Sequence, residues 1–240
     1  MYKGKKVIVI APVLNEEEKI GQVVSRMPRE VVDEILVVDD GSTDSSAEVA
    51  RSLGARVLSI GQVSGVGYAI RAGFDIAVDE AFDIVVVIAG NNKDAPEEIP
   101  LLLNGIVENH ADLVQGSRFL KESADFGEMP VYRRIATRIH PLLLSIVAGQ
   151  KLTESTNGFR AISVKLLMDE RLRLNRAWLD QYELEPYLLI KAIKLGYRVV
   201  EVAVTKIYPP KRLGQTKMRP FVGWWSILKP LVYVGLRLRK

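Results

Sequence analysis

Acidic, amide and lysine side chains gather in three short stretches, PVLNE (residues 12–16), DDGSTD (39–44) and AGNNKD (89–94), each at the end of an apolar run. Brought together, they would form a polar site. Asp39 and Asp40 carry the sharpest argument, because two carboxylates crowded after a buried strand are costly unless a base, a ribose, a metal or a cation satisfies them. Asp40 therefore points to a polar ligand. For Asp39 and Asp44 there is an alternative in the turn itself, since aspartates organise turns and cap the helix that follows. In AGNNKD, Gly90, Asn91, Asn92 and Asp94 are turn formers, while Lys93 adds a cation.

The elements that must position these stretches are legible as apolar runs too short for helices. Residues 7–11, 34–40, 55–60 and 84–89 read as buried strands, with further strands at 112–116, 158–163 and 197–205. Between them lie helical patterns: one from Glu16, one ending near Leu53 before Gly54, one through about Val78, and one after Pro96 that Glu97 and Glu98 favour electrostatically. Residues 131–148 form a long helix with an apolar stripe, and residues 182–195 an amphipathic one ending at Gly196. Strands alternating with helices predict an α/β fold, an open and mainly parallel sheet covered on both faces. In such a sheet ligands bind at the carboxyl ends of the strands, where the three polar stretches fall.

Several other chemistries lack their signatures. Cysteine is absent, and the only histidines, His110 and His140, show no metal-ligand spacing and read as surface or helix-packing residues. Gly65, Val66 and Gly67 do not continue as a dinucleotide fingerprint and follow the third strand instead of the first. No GxxxxGK[ST] phosphate loop occurs, and GSRF (116–119) lacks the GxSxG nucleophile elbow.

The chain of 240 residues, 48% hydrophobic, is long enough for one large core. We expect one domain over residues 1–205 and a basic segment over 206–240. That segment holds nine Lys or Arg and no acid, leaving the remainder net acidic although the whole carries +4. Phe221, Trp224, Trp225, Ile227, Leu228, Leu231, Val232, Tyr233 and Leu236 are interleaved with Lys229, Arg237, Arg239 and Lys240. This suits an amphipathic segment in a headgroup layer better than a nucleic-acid surface; the alternative is a closing helix packed on the domain or at a dimer interface. It is too short and too interrupted to span a bilayer. With no signal-peptide core at the start, the expected location is cytoplasmic, peripheral to the inner face of the membrane.

APVLNEEEKI, VVDDGSTDSS, the GVG loop, a strand followed by PEEIP, GSRF, TNGFRAIS and GYRVVEV occur in this order. Together they resemble a family 2 glycosyltransferase of GT-A fold, in the branch that makes dolichol- or polyprenyl-phosphate sugars. The resemblance spans roughly residues 5–220. It implies that Pro12, Leu14, Glu16 and Asp40 line the nucleotide pocket, with Asp40 accepting a hydrogen bond from the base. It also implies a DxD pattern with a nearby amide after the fourth strand, holding a divalent metal on the diphosphate. Here Ala89 and Asn91 stand at the two aspartates and Lys93 at the amide, so the loop is about three charges more positive than the family pattern.

A departing nucleoside diphosphate develops negative charge that a metal or a preorganised cation must stabilise. Without a carboxylate pair the loop attracts Mg²⁺ or Mn²⁺ poorly, which puts the metal in doubt. Lys93, with loop N–H groups from Gly90 to Asn92, is expected to replace it in part. Asp94 would orient Lys93 or, with Asn91, provide a residual metal ligand. On the acceptor side the resemblance implies phosphate binding by Arg118, by Arg133 with Thr137, and by Arg212 with Thr216 and Lys217. Arg134 and Arg138 are adjacent alternatives to Arg133.

The resulting expectation is an inverting glycosyltransferase moving a sugar from a nucleotide sugar, UDP-linked in preference to GDP-linked, to a polyprenyl (dolichyl) phosphate. A lipid phosphate is already an anionic nucleophile, so positioning matters more than a general base. The alternatives are a soluble or glycan acceptor, or an inactive module that only binds a nucleotide sugar.

Overall fold

The structure, a computed structural model, describes residues 1–120, 126–208, 218, 221–236 and 238. Its strands are β1 Val7–Val13, β2 Glu34–Asp39, β3 Arg56–Ser59, β4 Ile84–Val87, β5 Leu113–Ser117, β6 Arg160–Ser163 and β7 Val199–Ala203. They form one sheet in the order β3-β2-β1-β4-β6-β5-β7. Neighbours are parallel except at β6, which runs antiparallel to both β4 and β5. The helices are α1 Glu17–Ser25, α2 Ser46–Ser52, α3 Val66–Asp79, α4 Ile99–Val107, α5 Val131–Ala148, α6 Val164–Leu167, α7 Leu184–Lys194 and α8 Val222–Gly235. The mainly parallel α/β architecture agrees with the sequence reading. The short α6 and the 3-10 turn Pro96–Glu98 that leads into α4 were not foreseen.

Successive side chains of a strand point to opposite faces, so each strand feeds two cores. Ile8, Ile10, Leu36, Val38, Val85 and Val87 pack with α3 and α7 on one face. Val7, Val9, Ala11, Val37, Val86 and Ile88 meet Ile20, Val23 and Val24 of α1 and Leu102 and Leu103 of α4 on the other. Burial on both faces is why these strands are continuous apolar runs instead of alternating ones.

The GVG stretch serves packing. Gly65, at φ 113°, precedes α3, and Tyr68 N donates to Asp180 O at 3.0 Å. A Cβ on Gly67 would collide with the main-chain carbonyls of Leu179 and Gln181. Gly67→Ala is therefore expected to destabilise the fold by roughly 1–3 kcal/mol through overpacking. The check is a lower urea midpoint at unchanged m-value; a midpoint equal to wild type would show that residues 179–181 yield.

The amphipathic part of the 206–240 segment forms α8, which lies against α5 and α7. His140 of α5 is buried, and its Nε2 donates to Ile227 O at 2.9 Å while Nδ1 faces the Ser155 hydroxyl at 2.7 Å. The carbonyl can only accept, which assigns the Nε2–H tautomer. Burial lowers the His140 pKa below the ordinary histidine value, in keeping with a packing residue. Ser226 Oγ accepts from Tyr182 N at 3.1 Å, and Leu231 joins the core.

Candidate active site

The loops after β1, β2 and β4 meet at one edge because their strands are adjacent. Gly90 N donates to Pro12 O at 3.2 Å and Asp40 N to Val13 O at 2.9 Å. The first two loops are stitched by side chains: Thr43 N donates to Asn15 Oδ1 at 2.7 Å, and Glu16 N to Ser46 Oγ at 2.7 Å. Asp44 accepts from Ser46 N at 3.0 Å and from Glu17 N at 3.1 Å, so it caps the first turns of α2 and α1 together. Asp39 accepts from Ser42 N at 2.9 Å, the turn role open to it.

Asp40 is buried and accepts main-chain N–H groups of Ser64 at 2.7 Å and Gly65 at 2.9 Å. It thereby ties the loop before α3 to the loop after β2. Burial raises its pKa, against the pull of these two N–H donors. A carboxylate has more lone pairs than these bonds use, so Asp40 retains acceptor capacity. Pro12 and Leu14 are half-buried beside it, and Glu16, also half-buried, pairs with Lys19 at 2.6 Å.

The third loop carries a cluster of cations. Lys93 is buried with Nζ 4.9 Å from the centre of the Tyr208 ring, and Arg133 of α5 lies over the same ring at 5.5 Å. Arg118, just after β5, donates to the Tyr208 hydroxyl at 3.3 Å. Burial, with Lys206 and Arg133 nearby, pushes the Lys93 pKa down to about 7, although Glu16 and Asp94 oppose the shift. Asp94 is not the partner that orients Lys93: both its oxygens accept from Lys206 Nζ at 2.7 Å, and Asn157 Oδ1 accepts from the same ammonium at 2.8 Å. Asn91 Oδ1 accepts from Lys93 N at 3.2 Å, while Ala89 and Gly90 offer main chain alone as polar atoms.

Helical phase separates the three candidate arginines of α5. Arg133 faces Tyr208, whereas Arg134 and Arg138 are exposed and lie against Phe126 and Phe119 at 5.4 and 5.6 Å. Thr137, one turn after Arg133, donates its hydroxyl back to Arg133 O at 2.8 Å. Arg118 departs from the expected phosphate ligand. It is 2% exposed, with Nε on Glu154 Oε2 at 2.5 Å and Nη2 near Thr156 Oγ1 at 3.3 Å, so it offers a phosphate no open face. Burial alone would raise the Glu154 pKa, yet the Arg118 charge and the N–H groups of Ser155 and Thr156 hold it below the usual range. Arg212, Thr216 and Lys217 lie outside the described residues. Sequence reasoning missed Lys206, Tyr208, Glu154 and Asn157; the TNGFRAIS string was the signal for the last.

The donor set does not fit a divalent cation. Mg²⁺ and Mn²⁺ want several anionic or carbonyl oxygens, but alanine and asparagine stand where carboxylates would, and Asp94 is engaged by an ammonium. Among the described residues there is no group of three or more His, Asp or Glu that could hold a metal.

The open, mainly parallel sheet with its polar loops gathered at the carboxyl edge is GT-A-like. The solved structure of glucosyl-3-phosphoglycerate synthase from Mycobacterium tuberculosis, in complex with Mn²⁺, UDP and phosphoglyceric acid, shares this fold at a TM-score of 0.72. It is 24% identical, covering 97% of this chain and 79% of that one. Residues 8–170 match the model of glycosyl transferase family 2, and the chain belongs to that family. A dolichyl-phosphate hexose transferase of Haloferax volcanii is 31% identical, covering 99% of this chain and 97% of that protein. An undecaprenyl-phosphate mannosyltransferase of Micrococcus luteus is 30% identical over 89% and 87%. A UDP-N-acetylglucosamine–dolichyl-phosphate N-acetylglucosaminyltransferase of Methanococcus voltae is 29% identical over 85% and 86%.

Proposed function

We infer that this glycosyltransferase moves a sugar from a nucleotide sugar, UDP-linked in preference to GDP-linked, to a polyprenyl phosphate at the cytoplasmic surface of a membrane. The observation that carries the lipid acceptor is the outer surface of α5 and α8. Tyr132, Ile135, Ile139, Leu142, Leu143 and Ile146 of α5 are exposed, as are Val222, Trp224 and Trp225 of α8 and Phe221 before it. Tyr132 and Phe221 contact Trp224 at ring distances of 6.3 and 5.5 Å, which joins the two helices in one apolar face. Contiguous apolar surface of this kind marks an interaction face, and Arg134 and Arg138 along it suit anionic headgroups. Among the described residues no helix is long and apolar enough to cross a bilayer. Because α5 bears both this face and Arg133, a lipid lying on the face would bring its phosphate towards the cation cluster.

The chemistry then balances simply. A phosphate oxygen attacks the anomeric carbon, the bond from that carbon to the diphosphate oxygen breaks, and the nucleoside diphosphate leaves with the electron pair. No proton need move, and in-line attack inverts the anomeric centre. Lys93 and Arg133 supply positive charge where the leaving group gains negative charge.

The test is incubation with radiolabelled UDP- and GDP-sugars and polyprenyl phosphate in anionic vesicles. A lipid-linked product from a UDP-sugar is expected; no lipid-linked product across the panel would count heavily against the reading. Ile139→Glu with Leu142→Glu should weaken vesicle binding roughly tenfold or more, since each buried apolar side chain contributes about 1.5–3 kcal/mol. UDP affinity should be unchanged.

A further inference from the structure

We propose that the Lys206 ammonium, seated on Asp94 and Asn157, supplies beside the donor diphosphate the positive charge that a divalent cation would otherwise bring, and that nucleotide binding here is independent of added metal. The proposal rests on the nucleotide-sugar reading above and is indifferent to the acceptor.

Lys206 Nζ donates to Asp94 Oδ1 and Oδ2 at 2.7 Å and to Asn157 Oδ1 at 2.8 Å. A carboxylate engaged through both oxygens and a side-chain carbonyl are the kinds of ligand a hard cation uses. A tethered ammonium fills that seat. The placement is fixed by the main chain: Asp94 and Lys206 form an isolated antiparallel bridge, and Ile207 N donates to Lys93 O at 2.9 Å, so the segment that follows β7 is laid along the loop after β4. The Lys206 side chain is 9% exposed and that of Asp94 0%. A metal entering this seat would have to strip a buried ammonium of its carboxylate, which is strongly unfavourable.

The charge balance supports the substitution. Lys93, Lys206 and Arg133 face Asp94 and Glu16, all interacting around one loop. Lys206 and Arg133, joined by Lys93 when it is protonated, bring positive charge to this loop from the chain itself. That is the electrostatic service a metal gives a diphosphate, here built from three chain segments.

Titration calorimetry of UDP, with GDP in parallel, into the full chain tests this in EDTA and in Mn²⁺. For the wild type, dissociation constants within about twofold of each other are expected in the two buffers, a difference of under about 0.5 kcal/mol. Lys206→Ala should bind UDP at least about tenfold more weakly in EDTA. It should recover in Mn²⁺, because the oxygens of Asp94 and Asn157 become available. Wild-type affinity that falls tenfold or more in EDTA overturns the assignment. So does a Lys206→Ala loss that Mn²⁺ leaves untouched, which would make Lys206 a strut. If that variant does not fold, Lys206→Met, which keeps the aliphatic stem, takes its place in the same comparison. Absence of UDP or GDP binding in either buffer would instead remove the nucleotide-sugar reading and this proposal with it.

Discussion

Glu154→Ala is expected to lower the thermal unfolding midpoint by roughly 6–20 °C. Breaking a buried ion pair from one side costs about 3–5 kcal/mol, and each kcal/mol is worth about 2–4 °C in a chain of this size. Arg118 and Glu154 are 2% and 0% exposed. Removing the carboxylate would strand a guanidinium whose Nε partner is gone, and would also leave the N–H groups of Ser155 and Thr156 without their acceptor. Replacing both members together, as Arg118→Met with Glu154→Leu, should recover much of the loss, since a packed apolar pair needs no charge compensation. Calorimetric melting of the single and double variants decides it. A single variant melting within about 2 °C of wild type would mean that Arg118 finds another partner or reaches water, and the pair would then not be what fixes the Tyr208 wall of the site.

This pair also illustrates what could be read from the chain alone. The strand runs and the polar stretches behind them are local patterns, and their meeting at one sheet edge follows from a parallel sheet. The insertion of β6 between β4 and β5 is not local, and it brings Asn157 and Glu154 to the site. Asn157 is 49 residues from Lys206 and Asp94 is 112, so no spacing rule connects them. The residue types near Asp94 suggested that it would orient its neighbour Lys93; the folded chain offers it a more distant ammonium instead. Likewise Arg118 sits in a recognisable GSRF string, but whether a guanidinium faces a ligand or a buried carboxylate depends on what the fold places opposite it. On α5 the choice of Arg133 over Arg134 and Arg138 is a matter of helical phase relative to Tyr208. That phase becomes defined only when the helix has docked.

Lys93→Ala is expected to reduce kcat for sugar transfer by about 10²- to 10³-fold, the loss typical when one preorganised donor to a developing anion is removed. Lys93 is 8% exposed with Arg133 and Lys206 nearby, a position in which desolvation and repulsion disfavour its charge and bring its pKa down to about 7. A bound diphosphate relieves that repulsion, and it does so most when the bond to the sugar is breaking and the leaving oxygens carry the most charge. The effect should therefore fall more on kcat than on KM for the nucleotide sugar, because charge–charge attraction grows as the leaving group gains charge. Lys93→Met, which keeps the aliphatic stem beside Tyr208, should lose nearly as much kcat while melting close to wild type. That separates the charge from the packing. Steady-state kinetics with saturating lipid acceptor provides the measurement. A kcat unchanged in both variants would shift the stabilisation of the leaving group to Arg133 and the main-chain N–H groups around Gly90, and Lys93 would then be a cation that tunes its neighbours instead of meeting the diphosphate.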